Sequence, residues 1–315
     1  MGESLDAVMA GLPSNWGRWG PDDEVGALNF LGAAEVIAAA GEIQTGRVFT
    51  LGIPLASPQG DPIWPGRPLA ARYPLQDRGT YLAGHIEAPA GDEYADDVLF
   101  VSVHGTTHCD ALGHVWMDNE LYNGVSAEST VDRLTRSSIF PIAERGIVGR
   151  GILIDVADFK GKARLDRGEA ISLGDLQGAI KRQGCDVRPH DIVLLRTGWL
   201  SAFYRDRSSF EREPLSEPGL SFSRDLVSWF ADSGIAALGT DTLGNELTIH
   251  PEHGEVALLH ISLMRNLGIV FNELVWLEDL AKFCRESARY SCLYACAPLK
   301  IVGASGAPVN PVAIM

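Results

Sequence analysis

The chain has 315 residues and carries 41 acidic against 26 basic side chains, a formal charge of −15. With 46% apolar and 21% charged residues it has the composition of a globular protein, which excludes a disordered, collagen-like or coiled-coil chain. Such an acidic surface repels phosphate backbones and anionic membranes, no Lys/Arg run makes a local exception, and nucleic-acid binding is not expected.

The five cysteines, Cys109, Cys185, Cys284, Cys292 and Cys296, are odd in number and include no C-x-x-C pair, which argues for free thiols in a reducing compartment. No apolar run approaches the ~20 residues of a membrane span. The opening Met1-Gly2-Glu3-Ser4-Leu5-Asp6 lacks the basic start and apolar core of a signal peptide. A cytoplasmic protein without a membrane contact is the expectation.

In chain order, Ser14–Asp23 is a turn-rich opening with Trp16 and Trp19, followed by a short Ala-rich helix over 32–40 and a strand over Arg47–Leu51. The Pro/Gly-rich stretch from Ser57 to Gly91 reads as long irregular loops. Val98–Val103 is β-rich and reads as a strand. Further strands are expected at Gly151–Val156, Asp191–Arg196, Ile235–Gly239, Gly268–Phe271 and Leu293–Cys296. Helices are expected after Ser172, whose pairing with Asp175 is a capping signal, at Ser223–Asp232, Leu258–Met264 and Leu277–Cys284. Strands alternating with helices predict an α/β fold. No composition break divides the chain, so 1–315 reads as one domain.

Chemistry concentrates in His104-Gly-Thr-Thr-His108-Cys-Asp110-Ala-Leu-Gly-His114. Two imidazoles and a carboxylate suit Zn²⁺, Mn²⁺ or Fe²⁺ and leave positions open for water and substrate. On a straight strand His104 and His108 would stand roughly 13 Å apart, too far for one ion. The chain must therefore bend between them, and the site is expected where a strand leaves the sheet and curls. Cys109, of opposite parity, should point away.

This segment resembles the signature of the cyclase family that includes bacterial kynurenine formamidase and isatin hydrolase, His-x-Gly-Thr-His-x-Asp-x-Pro-x-His. By position, the resemblance implies that His104, His108 and Asp110 are metal ligands and His114 the catalytic histidine. The glycine falls one place early, at Gly105, and Leu112 stands where proline is usual. Further similarity runs through Asn15–Trp19, Tyr122-Asn123-Gly124, Arg196-Thr-Gly-Trp199, Gly239-Thr-Asp241-Thr242 and the pair His260 and Glu273. The formamidases hold a second metal with that pair. The His-to-Glu spacing here is one residue longer than expected for them, so His260 and Glu273 are weaker second-site candidates. The resemblance also implies a swivelling β/β/α fold, residues 1–30 as an N-terminal extension, and a homodimer or homotetramer.

A divalent ion on two neutral imidazoles and one carboxylate acidifies water toward pH ~7 and polarises a carbonyl, and His114 is placed to move the proton. The expected reaction is hydrolysis of an amide, lactam or lactone. A cyclase or dehydratase on the same site, and a non-catalytic protein holding a small acid, are the competing readings. His260 reads equally as a core histidine, and Glu273 as a ligand, a nearby carboxylate or a surface residue. His85, His190, His250 and His253 are taken as structural or exposed. Trp16, Trp19, Trp64 and Trp116 are candidates for lining a pocket or for packing. Asp241 is expected to fix a loop, and Gly303–Gly306 is a glycine-bearing turn that no phosphate-loop pattern follows.

Overall fold

The computed structural model describes residues 4–58, 60–207, 215–250, 254–255 and 257–315. His253 lies outside the described residues. Its backbone is a nine-stranded sheet whose strands are β1 (Val48–Thr50), β2 (His108–Asp110), β3 (Ile147–Asp155), β4 (Ile192–Arg196), β5 (Ala237–Thr240), β6 (Val270–Glu273), β7 (Ser291–Cys296), β8 (Gly306–Pro308) and β9 (Val312–Ile314). Their order across the sheet is β1-β9-β7-β3-β4-β5-β6-β2-β8.

The middle four strands, β3 to β6, are mutually parallel. They read as near-continuous apolar runs because parallel strands are covered on both faces. All five residues of β4 and all four of β5 and β6 are buried. At roughly 1.5–3 kcal/mol for each fully buried Val, Leu or Ile, this block supplies most of the driving force for the sheet. Antiparallel strands complete it at each end.

The predicted helices form at α1 (Ala33–Ala40), α2 (Leu173–Gln183), α3 (Arg224–Asp232) and α4 (Glu278–Ser287). Ser172 caps α2 as its sequence implies: the Asp175 N–H donates to Ser172 Oγ at 3.1 Å and the Ser172 N–H to Asp175 Oδ2 at 2.8 Å. No helix among the described residues is long and apolar enough to cross a membrane.

Two expectations change. The stretch 57–91 is not irregular throughout, since it contains a strand at Ala71–Gln76 and a helix at Arg78–Leu82. The strand expected at 98–103 runs from Asp96 to Phe100 and does not join the main sheet. It pairs with Ala71–Gln76 in a separate two-stranded ribbon, all five of its residues exposed. Pro74 suits that place, because proline is confined to edge strands and irregular registers, and the ladder shifts register between Pro74 and Gln76.

The N-terminal segment is sewn into the body. The Asn15 and Ala27 N–H groups donate to Asn266 O and Gly268 O at 2.9 and 2.8 Å, and Ala27 and Leu28 are fully buried. The Tyr-Asn-Gly segment holds it from the other side: the Tyr122 hydroxyl donates to Asp23 Oδ2 at 2.7 Å, and Asn123 Oδ1 accepts from the Gly17 N–H at 2.7 Å.

Candidate metal centre

Side chains alternate along a strand, so His108 and Asp110 share one face of β2 while Cys109 points the other way, into the core, with no exposed surface. The register of β6 sets Glu273 opposite His108. The register of β8 sets Gly306 opposite Asp110. A Cβ at Gly306 would lie 2.6 Å from Cε1 of His104 and 2.9 Å from the Cys109 carbonyl oxygen. The missing side chain is what lets the His104 ring reach the face of β2.

The bend required by the His104–His108 spacing lies at 105–107, directly after a turn closed by the Gly105 N–H on Ser102 O at 2.9 Å. The strand carrying the motif is therefore β2 itself, and not the apolar run before it. His114 follows on a second turn, its N–H donating to Ala111 O at 2.9 Å. Its half-buried ring stacks on that of His104 with centroids 4.1 Å apart. His260 opens a π-helical segment, His260–Asn266, and its ring lies 6.3 Å from that of His114. Such segments are rare and concentrate at functional sites.

Six side chains thus converge from three parts of the chain: the motif 104–114, His260 and Glu273. His104 Nδ1 lies 2.8 Å and His108 Nε2 3.4 Å from Asp110 Oδ1. His108 Nε2 is 3.2 Å from Glu273 Oε2, and His260 Nε2 is 3.5 Å from Glu273 Oε1. Two donor groups result, His104/His108/Asp110 and Asp110/His260/Glu273, each with its ligand atoms within 4.8 Å of one another.

The opposite ring nitrogens fix the tautomers. His108 Nδ1 is 2.6 Å from the Thr106 carbonyl oxygen, and His260 Nδ1 is 2.6 Å from Glu246 Oε1. Both partners only accept, so both Nδ1 atoms carry hydrogen and, in the neutral ring, both Nε2 atoms present lone pairs to the centre. His104 Nε2 meets Ser305 Oγ at 2.9 Å, leaving Nδ1 to face inward. Among the described residues His104 Nδ1, His108 Nε2 and both carboxylate oxygens of Asp110 are buried without a hydrogen-bond partner. Buried polar atoms are rarely left so. Four of them, with His104 Nδ1, His108 Nε2 and an Asp110 oxygen within 4.8 Å of one another, fit a divalent cation.

The electrostatics agree. Burial works against a charge on His108, but the carboxylates of Asp110 and then Glu273 beside it outweigh that and raise its pKa to about 10. Burial is likewise outweighed at His260 by Glu246 and Glu273, again to about 10. Protons take the place of cationic charge at both rings. Burial also opposes the charge of Asp110, yet His114, His104 and His108 around it hold its carboxyl well below the usual range. At His104 burial prevails over Asp110 and lowers the pKa. At His114 burial pushes it down to about 3, so that ring is neutral at pH 7.

Several supporting residues carry no signal in the linear sequence. Glu246 accepts the N–H groups of Leu259 and His260 at 2.7 and 2.9 Å besides the His260 ring. Asn245 Nδ2 donates to Glu273 Oε1 at 3.2 Å. Ser305 and Gly306 belong to the glycine-bearing turn that the motif search set aside. Arg67 donates to the His104 carbonyl oxygen at 3.0 Å and brings positive charge beside His104 and His114.

Asp241 does fix a loop: it accepts from the Thr197 and Gly198 N–H groups at 2.8 and 2.7 Å. Trp16 is a packing residue, its indole N–H donating to Arg265 O at 2.7 Å, and Trp19 packs edge-on against Phe30. Trp64 joins an apolar cluster with Ile53, Trp199 and Leu274, the residue after Glu273. Trp116 is 48% exposed.

The sequence profile of the cyclase family matches residues 49–246. The crystal structure of a protein described as a novel cyclase is similar over 96% of this chain and 100% of that one, with a TM-score of 0.87 and 33% identity. Isatin hydrolase A from Ralstonia solanacearum is similar over 90% of this chain and 96% of that one, with a TM-score of 0.60 and 21% identity. A protein described as a potential metal-dependent hydrolase with cyclase activity covers 85% of this chain and 96% of its own, at a TM-score of 0.51 and 20% identity. The last two are likenesses of fold. No curated protein matches the chain by sequence.

Proposed function

This chain belongs to the cyclase family, and from that premise we propose that it is a metal-dependent hydrolase that opens an amide, lactam or lactone by attack of water, with His114 as acid and base. The observation that carries the reading is the set of buried, unpartnered donor atoms on His104, His108 and Asp110. His104, His108 and Asp110 would hold one divalent ion. Asp110, with both oxygens unpartnered, would share with His260 and Glu273 in holding a second. Zn²⁺ and Mn²⁺ suit these nitrogen and oxygen ligands, and Fe²⁺ does also. Bound there, such an ion supplies a lowered pKa for water, toward ~7, and a Lewis acid for the substrate carbonyl.

The chain's own residues do the rest. Glu246 and the Thr106 carbonyl hold the His260 and His108 imidazoles in the tautomers that turn a lone pair inward, and Ser305 holds the His104 ring with its Nδ1 toward the centre. His114, neutral at pH 7, takes a proton from water as the water oxygen adds to the carbonyl carbon, and returns it to the nitrogen or oxygen that leaves as the C–N or C–O bond breaks. Arg67 offers positive charge to the carboxylate that hydrolysis makes.

The test is turnover of isatin, an N-formyl aromatic amine and an aromatic lactone by metal-loaded protein. Hydrolysis of at least one is expected, with oxygen from isotopically labelled water in the acid product. His114→Ala should keep its metal yet lose roughly 10²–10⁴-fold in rate, the usual worth of general acid–base catalysis. Undiminished turnover by that variant would refute the role of His114. Unlabelled product would refute hydrolysis.

A further inference from the structure

Behind the Asp110/His260/Glu273 group lies a second pair of buried polar atoms without partners. Glu217 and Asn245 are each 1% exposed. The Thr248 hydroxyl donates to Glu217 Oε1, and Asn245 Nδ2 donates to Glu273 Oε1 at 3.2 Å. The other end of each side chain is bare: among the described residues Glu217 Oε2 and Asn245 Oδ1 are buried with no hydrogen-bond partner. Native proteins rarely leave such atoms unsatisfied. Neither residue belongs to the donor groups of the metal centre.

The fold brings the two residues side by side. The Leu220 N–H donates to Asn245 O at 3.2 Å and the Leu247 N–H to Leu220 O at 3.0 Å, so residues 217–220 run along 244–248. A Cβ at Gly244 would lie 4.0 Å from Glu217 Oε1, and one at Gly219 only 2.3 Å from the Glu246 carbonyl carbon. Burial raises the Glu217 pKa and the Glu273 charge adds to the rise, so that charge reaches Glu217. Asn245 holds a left-handed φ of +58°, which asparagine adopts more readily than most residues. The Glu273 carboxylate only accepts, so the amide nitrogen of Asn245 faces it and the amide oxygen faces away.

We propose that Glu217 is a positioning residue for Glu273, acting through one buried water and the Asn245 amide. Both bare atoms are acceptors, so whatever joins them must donate twice, and a water molecule has the two O–H groups to do so. One hydrogen goes to Glu217 Oε2 and the other to Asn245 Oδ1. The amide is then held at both ends, and its N–H fixes Glu273 Oε1 while Oε2 stays 3.2 Å from His108 Nε2. A divalent cation fits the gap poorly, because it takes six or more oxygen ligands when bound by oxygen alone and only these two atoms are bare here. The role rests on the reading of Glu273 as a ligand of the second ion.

The experiment titrates the metal-stripped full chain with Zn²⁺ against a chromogenic chelator, for the wild type, Glu217→Leu, Glu217→Gln, Asn245→Gly and the double variant Glu217→Leu/Asn245→Gly. Glycine at 245 suits the left-handed backbone. Asn245→Gly should weaken the second ion by about tenfold or more, the usual cost of losing a ligand's hydrogen-bond partner, and Glu217→Leu by a smaller factor of at least about three. The first ion should be unaffected. The double variant should bind no more weakly than Asn245→Gly alone, because Glu217 acts only through Asn245. Glu217→Gln should stay near the wild type, since its amide accepts from Thr248 and donates to the water. A crystal structure of the metal-free protein should show that water between Glu217 Oε2 and Asn245 Oδ1. The proposal is overturned if Glu217→Leu lowers only the unfolding midpoint while Asn245→Gly weakens the second ion, if the two losses add, or if no water bridges the two atoms. A wild type that takes up no second ion, with Asn245→Gly equally indifferent, would remove Glu273 from the ligands and this role with it.

Discussion

The motif strand β2 and the ribbon formed by Ala71–Gln76 and Asp96–Phe100 lie eight residues apart in sequence, Phe100 to His108. They differ in what surrounds them. Strand β2 is paired on both sides and wholly buried, and Asp110 has no exposed surface. Each strand of the ribbon is paired on one side only, and Leu75 is 60% exposed. Both regions carry an unmet physical demand. Inside, polar atoms lack partners, and the remedy is a cation. Outside, the apolar groups of the ribbon lack cover within the chain. Strand β2, of sequence His-Cys-Asp, is a strand because two neighbours pair with it, and in both places the environment decides which demand the strand makes.

The comparison can be broken at the site by a single methyl group. Gly306→Ala places its Cβ against the His104 ring and the Cys109 carbonyl. Overpacking of this kind costs about 1–3 kcal/mol, and here it also displaces a ligand imidazole. A lowered unfolding midpoint together with weakened metal binding is expected in calorimetry. A variant with wild-type midpoint and affinity would mean that His104 is not held against β8.

A smaller effect should come from Glu246→Gln, which keeps the shape of the contact to His260 but removes its charge. Losses of partners to ligand histidines typically lower metal affinity by about 10–100-fold. Competition with a chromogenic chelator would read this directly. Unchanged affinity would reduce Glu246 to a support for the backbone of residues 259 and 260.

A third effect is in the pH dependence of the metal-free protein. His108 and His260 have pKa values of about 10 in the fold, against about 6.5 in an unfolded chain. Their protonation stabilises the fold fully below pH ~6.5, and that stability is lost as pH rises through about 10. Chelator-treated protein should therefore lose thermal stability from pH 7 to 10, more than the metal-loaded form. Loading at pH 7 in weak buffer should release protons. A chelated protein with a flat midpoint over that range would contradict the protonation of these rings.

Much of this was legible in the sequence. The buried strands β3 to β6 announce themselves as apolar runs, and Ser172 and Ser223 mark the starts of their helices. The motif from His104 to His114 is legible because its ligands are close in sequence and share a parity, and the need for a bend follows from strand geometry. Glu273 and His260 gain their place only through register, Glu273 by standing opposite His108 across two strands some 160 residues apart in the chain. Glu246, Asn245, Ser305 and Gly306 are ordinary residues in the sequence, and only the fold brings them to the ligands. The Asp96–Phe100 strand was misplaced for a related reason: strand propensity does not say which sheet a strand will join.

The central claim is that these side chains hold metal, and Asp110 tests it most directly because both donor groups contain it. The measurement is elemental metal content per chain, after reconstitution with Zn²⁺ or Mn²⁺, for the wild type and Asp110→Asn, with folding checked by circular dichroism. The account predicts up to two ions per chain in the wild type, and at least one, with nearly none in the folded variant. A wild type that takes up no metal, or a variant that keeps its full content, would contradict it.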